Sequence, residues 1–287
     1  GGTQTNVTVI DAALKPYQGV ICADSGHINV HETGAVEACG HKCITIPSAD
    51  GKIYLPEVEK ILKDHYENGK DVHMVQPKMV YISNPTEWGT IYTTEEIVRL
   101  SHLCRGYGVY LFVDGARLGY GLTCKENDMD LGTLADYTDV FYIGGTKVGA
   151  LFGESVVITN DKLKEDFRYN IKQHGAMLAK GRLLGIQFET LFENNLYFEI
   201  AKHGNAMAEK IRNQFVELGV EFIIDSPTNQ LFVVLPNTVL KQLAEKYVFE
   251  PMGKKDDKHS IVRICTSWAT KEENVDALLK DVEHALG

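Results

Sequence analysis

Apolar positions along the chain follow two rhythms. Short unbroken runs at 19–23, 43–46, 79–82, 109–113, 140–143 and 156–159 are rich in β-branched and aromatic residues and too short for helices. Each predicts a buried strand, and Val109-Tyr110-Leu111-Phe112-Val113 is the clearest. Between the runs the spacing is helical. Val7, Val9, Ile10 and Ala13 predict a helix over 3–14, and a second is predicted at 31–39. Over 56–66, Val58, Ile61 and Leu62 face one way and Glu57, Lys60 and Lys63 another. Thr93-Thr94-Glu95-Glu96 opens a helix that runs to Gly106 or Gly108, with its acids at the positive end of the helix dipole. Residues 161–218 are mainly helical in pattern. Strands follow at 220–224, 231–235 and 261–265, with a helix near 238–247 and a last amphipathic helix at 271–286.

Apolar strands alternating with amphipathic helices predict an α/β fold, with a mostly parallel sheet covered by helices on both faces. The expected division is a large domain over 1–200 and a smaller C-terminal α/β domain over 201–287, joined by a long helix.

Composition narrows the function classes. Of 287 residues, 44% are hydrophobic, and 29 basic against 39 acidic side chains leave a net charge of −10. An acidic chain of this kind argues against nucleic acid as a partner, since phosphate binding needs a basic footprint. No apolar run approaches the roughly 18 residues of a membrane span, so no membrane partner is expected. Cys22, Cys39, Cys43, Cys104, Cys124 and Cys265 form no CxxC pair. Scattered thiols predict a reducing, cytoplasmic setting. The chain opens Gly1-Gly2-Thr3-Gln4-Thr5-Asn6 with no methionine, and an upstream segment of the large domain is expected to be missing.

In parallel sheets, ligands collect beyond the carboxyl ends of the strands, so those positions carry the candidate chemistry. Gly1-Gly2-Thr3-Gln4 stands before a helix, where free N–H groups and a threonine hydroxyl suit phosphate. Taken alone, Thr3 as an ordinary N-cap is the simpler account. Neither a Walker loop nor GxGxxG is present. Asp114 ends the strongest strand and needs a partner: a ring nitrogen that must stay protonated, or Arg117 in a plain ion pair. Lys147 follows Ile143-Gly144-Gly145-Thr146. In a desolvated pocket its amine becomes nucleophilic; the alternative is a solvated loop lysine. A phosphate cradle, an acid and such a lysine are the parts needed to hold pyridoxal 5'-phosphate. His27, His31, Glu32 and His41 cluster, but zinc hydrolases place glutamate after the first histidine and here Ile28 stands there, so no metal is expected.

Taken together, Gly2-Thr3-Gln4, His27 with Glu32-Thr33-Gly34-Ala35, Asp114-Gly115-Ala116-Arg117, Thr146-Lys147, and Val262-Arg263 followed by Thr266-Ser267-Trp268-Ala269-Thr270 resemble the threonine aldolase and β-eliminating lyase family of fold-type-I pyridoxal-phosphate enzymes, especially the low-specificity threonine aldolases. The resemblance spans essentially the whole chain. It implies that Lys147 forms the aldimine with the cofactor, that Asp114 keeps the pyridine nitrogen protonated, and that Gly2 and Thr3 grip the phosphate. It places His27 over the ring and Arg117 beside the phenolic oxygen or the substrate carboxylate. Arg263 would clamp the α-carboxylate. The implied reaction cleaves threonine or allo-threonine to glycine and acetaldehyde. Many relatives carry a histidine after the strand at 79–82, where this chain has Glu87. The base for the β-hydroxyl is then Glu87, His27, a water or a phosphate oxygen. Two alternatives stand beside the aldolase: another β-eliminating or carbon–sulfur lyase on this scaffold, and a catalytically silent binding protein. The resemblance also implies a homodimer or homotetramer, with 172–177 reaching toward a neighbour's phosphate site.

Overall fold

The placement of the catalytic parts follows from how six short strands stack. The computed structural model describes residues 1–68 and 71–287. Helix α1 (Gly2–Ala13) leads into β1 (Gln18–Ala23), followed by α2 (His27–Val30), α3 (Ala35–Ala38), β2 (Lys42–Ile46), α4 (Leu55–Tyr66) and β3 (Gln76–Ser83). Next come α5 (Thr94–Tyr107), β4 (Tyr110–Asp114), α6 (Leu118–Thr123), α7 (Leu131–Tyr137), β5 (Val140–Ile143) and β6 (Ser155–Ile158). These strands form one sheet in the order β2-β1-β3-β4-β5-β6, parallel except for β6 at the edge.

Alternate residues of the same strands enter different cores. Ile21, Val80, Ile82, Leu111, Val113 and Phe141 pack on one side; Val20, Cys22, Met79, Tyr81, Phe112 and Tyr142 pack in another cluster. A strand buried on both faces has no polar positions to alternate, which is why these segments read as unbroken apolar runs. Full burial of each large side chain is worth about 1.5–3 kcal/mol. The start of α5 is fixed by a reciprocal cap: Thr93 Oγ1 accepts from the Glu96 N–H and Glu96 Oε2 accepts from the Thr93 N–H. Its end is set by Gly108 in the left-handed region at φ 63°.

Helices α8 (Asp161–Lys164), α9 (Phe167–Gln173), α10 (Arg182–Phe192) and α11 (Leu196–Glu217) follow. A second sheet then forms from β7 (Glu221–Ile224), β8 (Gln230–Pro236), β9 (Glu250–Lys254) and β10 (His259–Cys265), in the order β7-β8-β10-β9 and antiparallel throughout. Helix α12 (Asn237–Leu243) lies between β8 and β9, and α13 (Glu272–Leu286) ends the chain. Tyr197 and Ala201, early in α11, belong to a core of the large sheet, while Met207, Ile211 and Phe215 on the same helix pack with the second sheet. Among the described residues, no helix is long and apolar enough to cross a membrane.

The structure departs from the expected pattern in a few places. Of the helix predicted at 31–39 only α3 (Ala35–Ala38) forms, and a separate short helix, α2, ends before it at Val30. Thr33 and Gly34 adopt positive φ, 54° and 70°, and break the helix between them. Glu32, just before that break, is buried against Asn6 of α1 and His27 of α2 rather than on a solvated helix face. The helix near 238–247 ends at Leu243. Strand β9, unpredicted, runs Glu250-Pro251-Met252-Gly253-Lys254, with no alternation to read. As an edge strand beside β10 it tolerates proline.

Candidate active site

The carboxyl ends of β3, β4 and β5 lie side by side. Ser83 is in register with Asp114, one position beyond the Ile82–Val113 pair. Beyond β4 and β5 the backbones touch: the Gly144 N–H donates to Gly115 O at 2.9 Å. A Cβ on Gly115 would stand 1.9 Å from Tyr142 O, and one on Gly144 would stand 2.4 Å from Ala116 O. Only glycine permits this approach, and it draws the turn after Asp114 against the turn that carries Lys147. Gly115→Ala is therefore expected to cost more than about 2 kcal/mol of stability, as overpacking with no room to relax does. Urea unfolding checks this; a variant as stable as the parent would show that the two turns can separate freely.

One cleft is lined by Gly2, Thr3, His27, Ser83, Glu87, Asp114, Arg117, Tyr142, Lys147 and Glu154, among others. The structure thus brings together Gly2, Thr3, His27, Glu87, Asp114, Arg117 and Lys147. Arg263 is not among the lining residues. It sits on β10, where its Nη1 reaches Gln230 Oε1 at 3.5 Å and its Nε is buried without a partner. It lies near enough to His31 to help lower that pKa, behind the larger effects of burial and His27.

Asp114 is 3% exposed. Its Oδ2 accepts from Tyr81 Oη at 2.5 Å and Asn6 Nδ2 at 3.0 Å; its Oδ1 accepts from Tyr142 Oη at 2.5 Å and the Ala116 N–H at 2.9 Å. The Arg117 ion pair that the sequence left open is not formed. Burial, then the Asp114 charge, push both phenols well above the ordinary tyrosine pKa, so they stay donors.

Lys147 is partly buried, and its amine is lowered to about 8, by burial first and by Arg117 second. Glu87 accepts from Ser83 Oγ at 2.6 Å and from the His27 N–H at 3.0 Å. Burial raises its pKa. The Glu32 hydrogen bond raises the pKa of His27. Gly2 opens α1, whose first-turn N–H groups have no intrahelical acceptors. Among the described residues no three His, Cys, Asp or Glu side chains gather as metal ligands. In the 172–177 segment, His174 is tied back to α1: its carbonyl accepts from Gln4 Nε2 and its ring meets Asp11 Oδ2, both at 2.9 Å.

Sequence patterns gave no role to Asn6, Tyr81, Ser83, Tyr142 or Glu154. Glu154 accepts from the Gly145 N–H at 2.5 Å and Thr146 Oγ1 at 3.1 Å. Tyr81 and Tyr142 carried a usable signal: a tyrosine inside a fully buried strand needs a partner for its hydroxyl.

The chain matches the family described as beta-eliminating lyase over residues 1–238. A low specificity L-threonine aldolase of Pseudomonas sp. is 30% identical over 291 residues, covering 98% of this chain and 80% of that protein. The solved structure of Leishmania major threonine aldolase is 44% identical with a TM-score of 0.97, covering 100% of this chain and 83% of that one. A Thermus thermophilus aspartate aminotransferase double mutant shares the fold alone, at 16% identity and TM-score 0.68 over 99% of this chain and 74% of its own. The fold-type-I architecture expected from the sequence is therefore present. With a family match over 1–238 and a 30%-identical relative across nearly its whole length, the chain belongs to the β-eliminating lyase family.

Proposed function

We propose that this protein is a pyridoxal-phosphate-dependent aldolase that cleaves threonine or allo-threonine to glycine and acetaldehyde. One observation carries the proposal: the start of α1, Asp114 and a lysine with its amine lowered to about 8 line a single cleft at the carboxyl end of the sheet. Relatives named as threonine aldolases supply the substrate class.

The residues present fit the cofactor. The first turn of α1 and the Thr3 hydroxyl offer donors to a phosphate. Asp114 is a buried carboxylate whose protein partners are all neutral donors, so it lacks the cation that a protonated ring nitrogen would provide. Of the side chains that donate to Asp114, only Tyr142 lines the cleft with it. Its hydroxyl can rotate, so Asp114 would hold a ring N–H with Tyr142 beside it. When bound, the cofactor supplies the electron sink for the pair released as the Cα–Cβ bond breaks.

The chain's own residues do the rest. Lys147, its amine pKa lowered by burial, would hold the cofactor. His27, which lines the same cleft, would lie against the cofactor. The unmet Nε of Arg263 would suit the substrate carboxylate, and Arg117, which lines the cleft, would hold that carboxylate or the cofactor's phenolic oxygen. Fixing the carboxylate turns the bond to be broken into line. Glu87, made more basic by burial, takes the β-hydroxyl proton.

The assembly is proposed as a homodimer or homotetramer. Leu151, Phe152, Leu178, Leu183 and Ile186 are exposed, and Phe152 and Leu178 line a groove that reaches Gly1 and Glu154. A division near residue 200 into cofactor-binding and smaller units is proposed from the two cores that share α11.

A product assay tests the activity. With pyridoxal phosphate added, threonine, allo-threonine or both should give glycine and acetaldehyde in equal amounts. An oxo acid with ammonia would replace cleavage by elimination, and neither product pair would overturn the assignment.

A further inference from the structure

Behind the cleft lies a run of buried polar groups that the mechanism above does not use. Asn6, on α1, is fully buried, and Glu32, in the turn between α2 and α3, is 5% exposed. The Asn6 amide donates to Glu32 Oε1 at 2.8 Å and to Asp114 Oδ2 at 3.0 Å. His27 Nδ1 meets the same Glu32 oxygen at 2.8 Å. One amide nitrogen therefore bridges two buried carboxylates, of which only Asp114 lines the cleft.

Two acids so close in a dry interior repel each other, and donors or a cation must offset that repulsion. His27 is the cation within reach of Glu32. The partners of Asp114 in the chain are neutral. The network is also incompletely satisfied: Glu32 Oε2 and Asn6 Oδ1 are buried without partners. An unmet buried oxygen costs stability, so folding alone gives no reason for this arrangement.

Resting on the cofactor assignment above, we propose that Asn6 and Glu32 are positioning residues: Glu32 holds His27 charged and turned toward the cleft, and the Asn6 amide, donating to both acids, fixes Glu32 beside His27 and Asp114 toward the ring nitrogen. On balance the groups facing His27 favour its charged form. Glu32 raises its pKa most, burial opposes, Asp114 adds to the rise and Lys147 subtracts. His31, with its ring 5.5 Å away, has its pKa lowered by burial and then by His27. Glu87 accepts the His27 backbone N–H, and Arg117 lines the same cleft.

The test is an NMR pH titration of histidine-labelled holoenzyme, with visible absorbance followed on the same samples. His27 should titrate above the ordinary histidine value of about 6.5, and Glu32→Gln should lower its midpoint by about one unit or more. The pH dependence of the bound cofactor's absorbance should shift in the same variant, kcat for threonine should fall with KM little changed, and Glu32→Asp should restore part of both. A parent midpoint at or below the ordinary value overturns the proposal with no variant needed. So does a Glu32→Gln protein that has lost thermal stability but kept the His27 midpoint and absorbance profile. Failure of the cofactor assignment looks different: no visible band forms on adding pyridoxal phosphate, while the Glu32–His27 pairing is still read in the histidine titration.

Discussion

Lys147→Ala abolishes threonine cleavage, with kcat lowered by at least about 10³-fold, the scale on which loss of a covalent catalytic group is felt. The argument begins at Gly115 and Gly144, which let the turns after β4 and β5 touch. That contact draws the lysine into a cleft where burial, with help from Arg117, lowers its amine to about 8. An ordinary lysine, near 10.4, holds its proton at neutral pH and condenses slowly with an aldehyde. An amine near 8 is neutral in a useful fraction of molecules. The sign for pH follows. Capture of pyridoxal phosphate by cofactor-free protein should quicken as pH rises toward about 8 and level off above it, where a solvated lysine would go on quickening past 10. Borohydride should fix the cofactor covalently to the parent and leave none on Lys147→Ala. Retention of a tenth or more of the activity by that variant would show that the amine is not what holds the cofactor.

How legible was this site beforehand? Asp114 and Lys147 could be found because each follows an apolar run too short for a helix, and a charged residue at such a position has few places to go. The parallel sheet was visible for the same reason: strands buried on both faces leave unbroken apolar text. What stayed hidden depends on contacts across long stretches of chain. Asn6 meets Glu32 over 26 residues of separation and Asp114 over 108, and no local pattern marks an asparagine in the middle of a helix as a bridge. Glu32 sat inside a segment expected to be helical, and only the positive φ angles of Thr33 and Gly34 reveal that it turns inward. Tyr81 and Tyr142 signal only that a buried hydroxyl needs a partner; that both meet one carboxylate is set by the pairing of β3, β4 and β5. Strand β9 carries neither period and exists because β10 offers it an edge.

Asp114→Asn should cost more than its near-identical shape suggests. The carboxylate is approached only by donors, two on each oxygen. An amide must turn its NH2 toward one pair. Tyr81 or Tyr142 can rotate its hydroxyl and accept instead. The Ala116 N–H on one side and the Asn6 amide on the other cannot, so in either orientation one buried donor faces another. A stability loss of about 1–3 kcal/mol is expected, the usual penalty for a buried polar group left unmatched, and urea unfolding measures it. The catalytic loss is separate. With no carboxylate opposite it, a ring nitrogen loses its reason to stay protonated, and the electron sink weakens. A fall in kcat of roughly 10²–10³ is expected, the size seen when one preorganised electrostatic contact is deleted, with little change in KM, because Asn takes no contact from the substrate. Assaying well below the unfolding midpoint keeps the two effects apart. Full kcat in a folded Asp114→Asn protein would mean that the charge is not what the ring nitrogen uses, and the role given to this strand end would fall.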